Sequence, residues 1–428
     1  MSDVTGAPRV SRIAAASRAS QILRIAAEIR ALVAVGRPVC NLTVGDFNPR
    51  QFPAPAALVA AIQEALSAGE TNYPPSSGLP VLREAIAAFY AQRLGIHYTS
   101  DAVIVAAGAR PCIYTAFRTL LDPGDAVVFP VPSWNNADYC QLVGATARPV
   151  TCTDAMSFLP TRAALARAIR GARLLVLNSP LNPSGTAFDE ATLGEICDLV
   201  LEENTARTAA DRPLFLLYDQ VYWMLTLGRT RHVHPVVLRP DMEPYVISVD
   251  AISKAFASTG LRVGWVTGPR DVVRHMADFV SHIGAWAPRP GQLGTARLFG
   301  QPEVIDAYHQ TMHRELAVRL DAIHSACTAM RAAGLPVDSI PPVSTIYASV
   351  RLDLDGRRTP DGTVLCGSED VRRYLLNAAG VAVIPFQAFG ITGDTGWFRF
   401  SVGAVSKSDL ESGLVRLRSA VEALVASE

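Results

Sequence analysis

Between residues 102 and 267 the chain repeats one pattern: a strand-length apolar run, a turn, and a segment of helical character. The runs are Ala102–Ala107, Ala126–Val131, Leu174–Leu177, Leu214–Tyr218, Val246–Val249 and Val263–Thr267. Most are continuously apolar rather than alternating, which predicts strands buried on both faces of a mostly parallel sheet. Strand, loop and helix in repetition predict the α/β class, with helices on both faces of a central sheet. Ligands of such sheets sit beyond the carboxyl ends of the strands. Asn178, Asp219 and Lys254 each fall just after a run, and so predict where the chemistry is.

The flanks read differently. Residues 1–18 are small, polar and arginine-bearing, and are expected to form a loosely held arm. From Ala19 to Val35, Ile22, Ile25, Ala26, Ile29, Leu32 and Val33 recur at helical spacing. A short extended piece, Asn41–Val44, ends at Gly45, and helices are predicted over Ala56–Ser67 and Val81–Leu94. Beyond the sheet region a polar helix carrying His309 and His313 runs to Ala333. The remainder reads as a smaller α+β unit, with strands at Ile346–Leu352, Val381–Ile384 and Trp397–Val402 and helices near 369–379 and 407–426. The predicted organisation is an arm (1–18), a first small-domain segment (19–49), a large domain (50–305) and a small C-terminal domain (306–428).

A chain of 428 residues, 49% hydrophobic, can bury the core that two domains need. Lys plus Arg and Asp plus Glu balance at 39 each, which removes a general electrostatic case for nucleic acid or an anionic membrane. No apolar run is long enough to cross a bilayer, and the first residues lack the apolar segment of a signal peptide. Seven cysteines stand without C-x-x-C spacing, as suits a reducing compartment. The expectation is a cytoplasmic protein with no nucleic-acid or membrane partner. No metal is expected either: the pairs His232/His234 and His309/His313 lack a supporting carboxylate or cysteine pattern, and the eight histidines read as ordinary surface or interface residues. A P-loop, a zinc-protease helix and a nucleophile elbow are all absent from the sequence.

Lysine is scarce. Of the 39 Lys and Arg, only Lys254 and Lys407 are lysine. Arginine cannot replace lysine where an amine must lose its proton and attack a carbonyl. Lys254, retained between two predicted strands, is therefore read as a Schiff-base lysine rather than a surface cation. With a pyridine-ring aldehyde there, its neighbours acquire roles. Asp219 would pair with the protonated ring nitrogen and keep the ring an electron sink. Tyr222, and Asn182 in NSPLNPSG, would hydrogen-bond the phenolic oxygen. Gly108, Ala109 and Arg110 offer backbone amides at a helix N-terminus to a phosphate, and Arg262 adds a fixed charge. Trp134 would stack on the ring face. Taken singly, each has a plainer reading as a cap, a turn, a core aromatic or a surface arginine. Their joint order and spacing outweigh it.

The series G-A-R (108–110), Trp134, NSPLNPSG (178–185), YDQVY (218–222), SKAFASTGLRVGW (253–265) and FRFSVG (398–403) resembles the class I/II aminotransferases, pyridoxal-phosphate enzymes of fold type I. The resemblance runs from Ala19 to the C-terminus. It implies pyridoxal 5′-phosphate as cofactor, a ping-pong exchange between an amino acid and a 2-oxo acid, and a homodimer with shared active sites. By the same resemblance Lys254 carries the cofactor and moves the substrate proton, Asp219 holds the ring nitrogen, Asn182 and Tyr222 the ring oxygen, and Arg262 the phosphate. Tyr73 matches a tyrosine that reaches the phosphate of the neighbouring subunit. Arg399 matches the arginine that clamps the substrate α-carboxylate, and Gly45 is placed with the substrate.

Four departures stand out. Ala251 replaces a serine that commonly binds the phosphate, and Gln220 replaces the glutamate of D-E-x-Y and is expected to touch little of the chemistry. The entrance loop reads VGDFNP (44–49). Phe386, in PFQAFG (385–390), replaces a small residue and either narrows the cleft or packs a domain interface. For the side-chain selector, Arg110 would pair with a distal carboxylate, as a lysine at the matching position does in some relatives. Arg289 is a second candidate, since its stretch borders the partner's active site in relatives, whereas Trp286 would favour apolar or aromatic side chains. An acidic substrate, aspartate or glutamate with its 2-oxo acid, is the expectation. The same anchors also serve lyases, cyclopropane-forming synthases and oxidative enzymes. A ligand-binding regulator is set aside because no DNA-binding segment precedes Ala19 and every residue for the chemistry is present.

Overall fold

The computed structural model describes residues 9–16, 21–208 and 210–425. The apolar runs become the strands of a seven-stranded sheet: β1 (Val103–Ala106), β2 (Ala126–Val131), β3 (Thr146–Thr151), β4 (Leu174–Asn178), β5 (Phe215–Asp219), β6 (Val246–Ala251) and β7 (Gly264–Thr267). Their order is β1-β7-β6-β5-β4-β2-β3, and only β7 runs antiparallel to its neighbours. Alternation along each strand divides the side chains between two faces. Val127, Phe129, Leu174, Val176, Phe215 and Leu217 enter one cluster, with the helices Ala109–Leu120, Asn136–Val143 and Arg270–His282. Val128, Leu175, Leu177, Leu216 and Tyr218 enter the other, under Arg162–Ala168 and Glu190–Thr205. Burial on both faces is why the runs carry no polar alternation.

β3 escapes the sequence pattern. It is an edge strand, TARPVT, whose residues are mostly exposed and supply no apolar run. The runs beginning at Leu174, Leu214 and Val246 end one or two residues later than predicted, so Asn178 and Asp219 are the last residues of β4 and β5.

The second sheet is antiparallel, with order β10-β11-β9-β8: β8 (Val337–Ser339), β9 (Tyr347–Leu352), β10 (Ile384–Pro385) and β11 (Trp397–Ser401). Leu316, Leu320 and Ile323 of helix Pro302–Ala332 and Leu410 and Leu417 of helix Lys407–Glu422 pack with Val350, Phe398 and Phe400. The strand predicted at 381–384 divides: Val381–Ala382 pairs in parallel with Cys40–Asn41, while Ile384–Pro385 joins β11. The helix predicted over 369–379 starts at Gly367 and passes into a π-helical turn at Leu375–Ala379.

The amphipathic segment forms helix Gln21–Ala34, which buries Ile25 and Ile29. Glu28 on this helix pairs with Arg372 at 2.8 Å, holding it to the second sheet's helices. Of the predicted arm, Arg12–Ala16 is a short helix with no buried side chain, and residues 1–8, 17 and 18 lie outside the described residues.

One expectation needs revision here. His234 and His309 are not surface residues: both are buried, with ring nitrogens 2.8 Å from Ser248 Oγ and from the Ala255 carbonyl. Burial holds both imidazoles well below their ordinary pKa, so each sits in the core as a neutral ring. Phe386, read as either narrowing the cleft or packing an interface, is fully buried with its ring centroid 4.9 Å from that of Phe158, and it is not among the residues lining the cavity described below.

Candidate active site

The carboxyl ends of β4, β5 and β6 face a cavity of about 300 Å³, near the lower limit of ordinary small-molecule sites. Gly45, Ala109, Arg110, Trp134, Asn182, Asp219, Tyr222, Lys254, Arg262 and Arg399 all line it, as the sequence predicts. Lys254 lies on the single turn Ile252–Ala255 that follows β6, and its Nζ donates to the carbonyl of Gly45 at 2.5 Å. Burial lowers the Lys254 pKa to about 8. The Asp46 carboxylate opposes this, while the charges of Arg399, Arg110 and Arg262 add to it.

Asp219 is half-buried at the end of β5. Desolvation raises its pKa to about 6, against a bond from the Val221 amide (3.2 Å) and the nearby Lys254 charge. Asn178, its register partner on β4, donates to the Asp219 carbonyl and accepts from the Asn182 amide, each at 2.8 Å. The loop after β4 is thereby fixed. It also approaches β9 so closely that a Cβ on Gly185, whose φ is +74°, would meet the Tyr347 carbonyl.

Arg399, on β11, is 1% exposed. Its Nη1 donates to Asn182 Oδ1 (3.0 Å) and its Nη2 to the Thr43 carbonyl (2.7 Å), and its Nε has no partner among the described residues. The guanidinium lies 4.5 Å from the ring centroid of Tyr347 and 4.8 Å from that of Phe389. Tyr347 is a site residue that the sequence reading missed. Its hydroxyl is 2.8 Å from that of Tyr222, and it lines the cavity with Asp46, Ser253 and Thr259. The one local signal was a tyrosine heading a strand of otherwise small or aliphatic inward residues.

At the opposite end, Arg262 adopts a left-handed backbone (φ 56°) and donates to the carbonyls of Thr259 (2.8 Å) and Ala107 (3.0 Å). Its guanidinium lies against Gly108, where a Cβ would collide with it. Helix Ala109–Leu120 starts there, and the first amides of a helix have no partner within it. Ala251 gives its amide to Asp250 Oδ1 (2.7 Å) and carries no hydroxyl, whereas Ser253, two residues on, lines the cavity. Arg110 is exposed at the rim, its guanidinium 5.2 Å from the Trp134 ring centroid.

A second set of side chains locks these segments from the other face. Tyr90 OH donates to Asp250 Oδ2 (2.9 Å) and accepts from Gln220 Nε2 (3.0 Å) and Trp265 Nε1 (2.9 Å). Asp250 also accepts from Trp223 Nε1 at 2.7 Å. Gln220 does not line the cavity, as expected, but it holds the strand end that presents Asp219.

Four predicted residues are not among those lining this cavity: Gly108, which lies against the Arg262 guanidinium that does, and Tyr73, Trp286 and Arg289. Tyr73 is 80% exposed and packs edge-on to Trp286, with ring centroids 5.1 Å apart. Arg289 is ion-paired with Glu70. Of the candidate selectors, therefore, only Arg110 belongs to the site formed within one chain.

The donor set suits a phosphorylated aromatic aldehyde. A glycine-flanked helix terminus and Arg262 suit the anion, Trp134 offers a flat face, and the Asp219 carboxylate, which accepts from the Val221 amide, suits a protonated ring nitrogen. The family model for aminotransferase class I and II matches residues 37–417. The chain belongs to the class I and II aminotransferases. Its cofactor is pyridoxal 5′-phosphate. The chain is 30% identical to the aspartate aminotransferase of Rhizobium meliloti, over 95% of this chain and 94% of that one. It is 29% identical to the enzyme of the same name from Geobacillus stearothermophilus, over 94% and 96%. The fold matches the R. meliloti crystal structure with a TM-score of 0.88 at 27% identity, covering 98% of this chain and 100% of that one. The aspartate aminotransferase of Thermus thermophilus with maleate matches at 0.85 and 25% identity, covering 97% and 100%. Among the described residues no helix is long and apolar enough to cross a membrane.

The depressed lysine has a consequence for stability. Between pH 8 and 10.5 the unfolded, cofactor-free chain holds a proton on Lys254 that the folded chain has lost. Rising pH in that window therefore favours the folded state, by up to about 3 kcal/mol from this group. Urea unfolding of cofactor-free wild type and Lys254→Met across the window should show wild type gaining relative to the variant. A pH-independent difference would contradict the burial argument.

Proposed function

We propose that this aminotransferase moves the amino group between a dicarboxylic amino acid, aspartate or glutamate, and a 2-oxo acid, with Arg399 binding the α-carboxylate and Arg110 the distal one. The observation that carries this reading is two guanidinium groups on one cavity besides the phosphate-side Arg262: Arg399 buried and Arg110 at the rim, while Arg289 is neutralised by Glu70. The names of the relatives support it. The exchange runs in two halves, the first amino acid leaving as its oxo acid before the second oxo acid enters.

When bound, pyridoxal 5′-phosphate supplies an electron sink for the negative charge that develops at the substrate Cα. Asp219 would hold the protonated ring nitrogen, and Asn182 and Tyr222 the ring oxygen. The Ala109, Arg110 and Gly108 amides, Arg262 and the Ser253 hydroxyl would hold the phosphate, with Ser253 serving in place of the hydroxyl absent at Ala251. Trp134 would cover the ring face. Lys254, with a pKa of about 8, has a substantial neutral fraction near physiological pH and can take the Cα proton. The carbonyl of Gly45 orients its amine. Asn182, bonded to Arg399 Nη1, couples the carboxylate clamp to the ring-oxygen contact.

Residues 19–49 with 306–428 form the small domain in this reading, and 50–305 the large one. The enzyme is a cytoplasmic homodimer, which cell fractionation and sedimentation would check. Exposed Tyr73, with Trp286 and Arg289 behind it, reaches the partner's site. Mixing Lys254→Ala with Tyr73→Phe protein should then restore activity through hybrid dimers carrying one intact site. No recovery despite demonstrated subunit exchange would assign each site to one chain.

Arg110→Leu should lower kcat/KM for aspartate and glutamate and spare alanine. Loss of a charged contact of this kind costs roughly 2–5 kcal/mol, about 30-fold to several thousand-fold. Arg399→Leu should damage all three donors alike. Equal losses for acidic and apolar donors in Arg110→Leu would make Arg110 a phosphate-side residue.

A further inference from the structure

The hydroxyls of Tyr222 and Tyr347 meet at 2.8 Å in the cavity wall, the two side chains only 3% and 1% exposed. Tyr222 comes from the segment just after β5 and Tyr347 from the start of β9, so the contact joins the two sheets. Tyr347 is held in place on several sides. Its carbonyl lies against Gly185, and its amide donates to Thr345 Oγ1 at 3.0 Å. Its hydroxyl lies so near Gly45 that a Cβ there would fall 2.8 Å from it, and the Arg399 guanidinium covers its ring.

A phenol has one proton to give and lone pairs with which to receive. Among the described residues neither hydroxyl has a second hydrogen-bond partner. The pair therefore has two arrangements. If Tyr222 donates to Tyr347, the Tyr222 proton is taken and the Tyr347 proton has no acceptor. If Tyr347 donates to Tyr222, the Tyr222 proton is left for an acceptor in the cavity. Acidity favours the second arrangement. Burial pushes both phenols up, Tyr222 further than Tyr347, with Tyr347 itself adding to the rise at Tyr222 and the Arg399 charge opposing it at both. The more acidic phenol is the better donor, and a hydroxyl that receives a hydrogen bond becomes a stronger donor in turn.

We propose that Tyr347 is a positioning residue of this enzyme: by donating to Tyr222 it aims the Tyr222 proton at the ring oxygen of the bound cofactor. The inference rests on the reading above that Tyr222 holds that oxygen. A hydrogen bond there favours the anionic oxygen and lowers the pH at which the lysine-bound cofactor gives up its proton.

Phenylalanine keeps each ring, including the one under Arg399, and removes only the hydroxyl. The absorbance of the lysine-bound cofactor is titrated against pH in wild type, Tyr222→Phe, Tyr347→Phe and the double variant, with calorimetric binding of propionate as a reading of Arg399. The ionisable groups facing the pair, Lys254, Asp46, Asp219 and Arg399, are the same in all four proteins. Tyr222→Phe should raise the titration midpoint, and Tyr347→Phe should raise it by about half a pH unit or more with propionate binding unchanged. The double variant should match Tyr222→Phe, because without the Tyr222 hydroxyl Tyr347 has nothing to orient. A midpoint for Tyr347→Phe at or below that of wild type, beside a raised one for Tyr222→Phe, would overturn the proposal alone. An unshifted Tyr222→Phe midpoint would remove the ring-oxygen reading and the proposal with it. An equal shift from Tyr347→Phe in both backgrounds, with or without weakened propionate binding, would show a packing role and overturn the proposal too.

Discussion

A half-buried lysine amine beside three arginines is the constraint on which the rest of the site depends. Withdrawing an ammonium group from water is costly, and neighbouring positive charge adds to the cost. The chain answers by letting Lys254 titrate near 8 and by giving it the Gly45 carbonyl and the Asp46 carboxylate. Asp46 is in turn fixed by the Thr259 hydroxyl at 2.6 Å. The loop that departs from the family pattern, VGDFNP, is thus the one that touches the lysine. Its position depends on the second sheet, because Asn48 donates to the Gly403 carbonyl just past β11, and Ser401 Oγ to the Val44 carbonyl. A nucleophilic amine in this place needs both sheets assembled around it.

Strand alternation explains how the site stays rigid. Asp219, Tyr222 and Lys254 face the cavity, while Gln220, Trp223 and Asp250 on the same segments converge on Tyr90 OH or on its carboxylate partner. Asp250 is fully buried, and desolvation raises its pKa to about 8 against the pull of three donors. Every polar atom named in that network has a partner, which is the condition under which buried polar groups specify a single arrangement. Catalytic side chains on one face are therefore positioned by hydrogen bonds on the other.

Much of this was legible in the sequence, for a physical reason. A strand buried on both faces must be continuously apolar, so its end is marked where polar residues resume, and there the cavity lies. Asp219 and Lys254 could be placed from that transition alone. What escaped lacked such a mark. β3 is an edge strand with exposed residues, and Tyr347 meets Tyr222 only through the packing of β9 against the loop after β5. Arg289 read as a free cation because Glu70, its partner, is far away in sequence. His234 and His309 read as surface residues because spacing says nothing of a neutral imidazole satisfied by Ser248 or a carbonyl. Phe386 was ambiguous until Phe158 was seen to cover it.

The central claim is that one of the two lysines carries the cofactor because its amine is half-buried and depressed, while the other is an ordinary surface cation. Lys407 is exposed and ion-paired with Glu315 at 2.9 Å. Borohydride reduction of the cofactor-loaded enzyme, followed by peptide mass spectrometry, reads the claim directly. The account predicts the reduced pyridoxyl mass on the peptide containing Lys254 and none on that containing Lys407. Label at Lys407, or the absence of label at Lys254 in an active preparation, would contradict it.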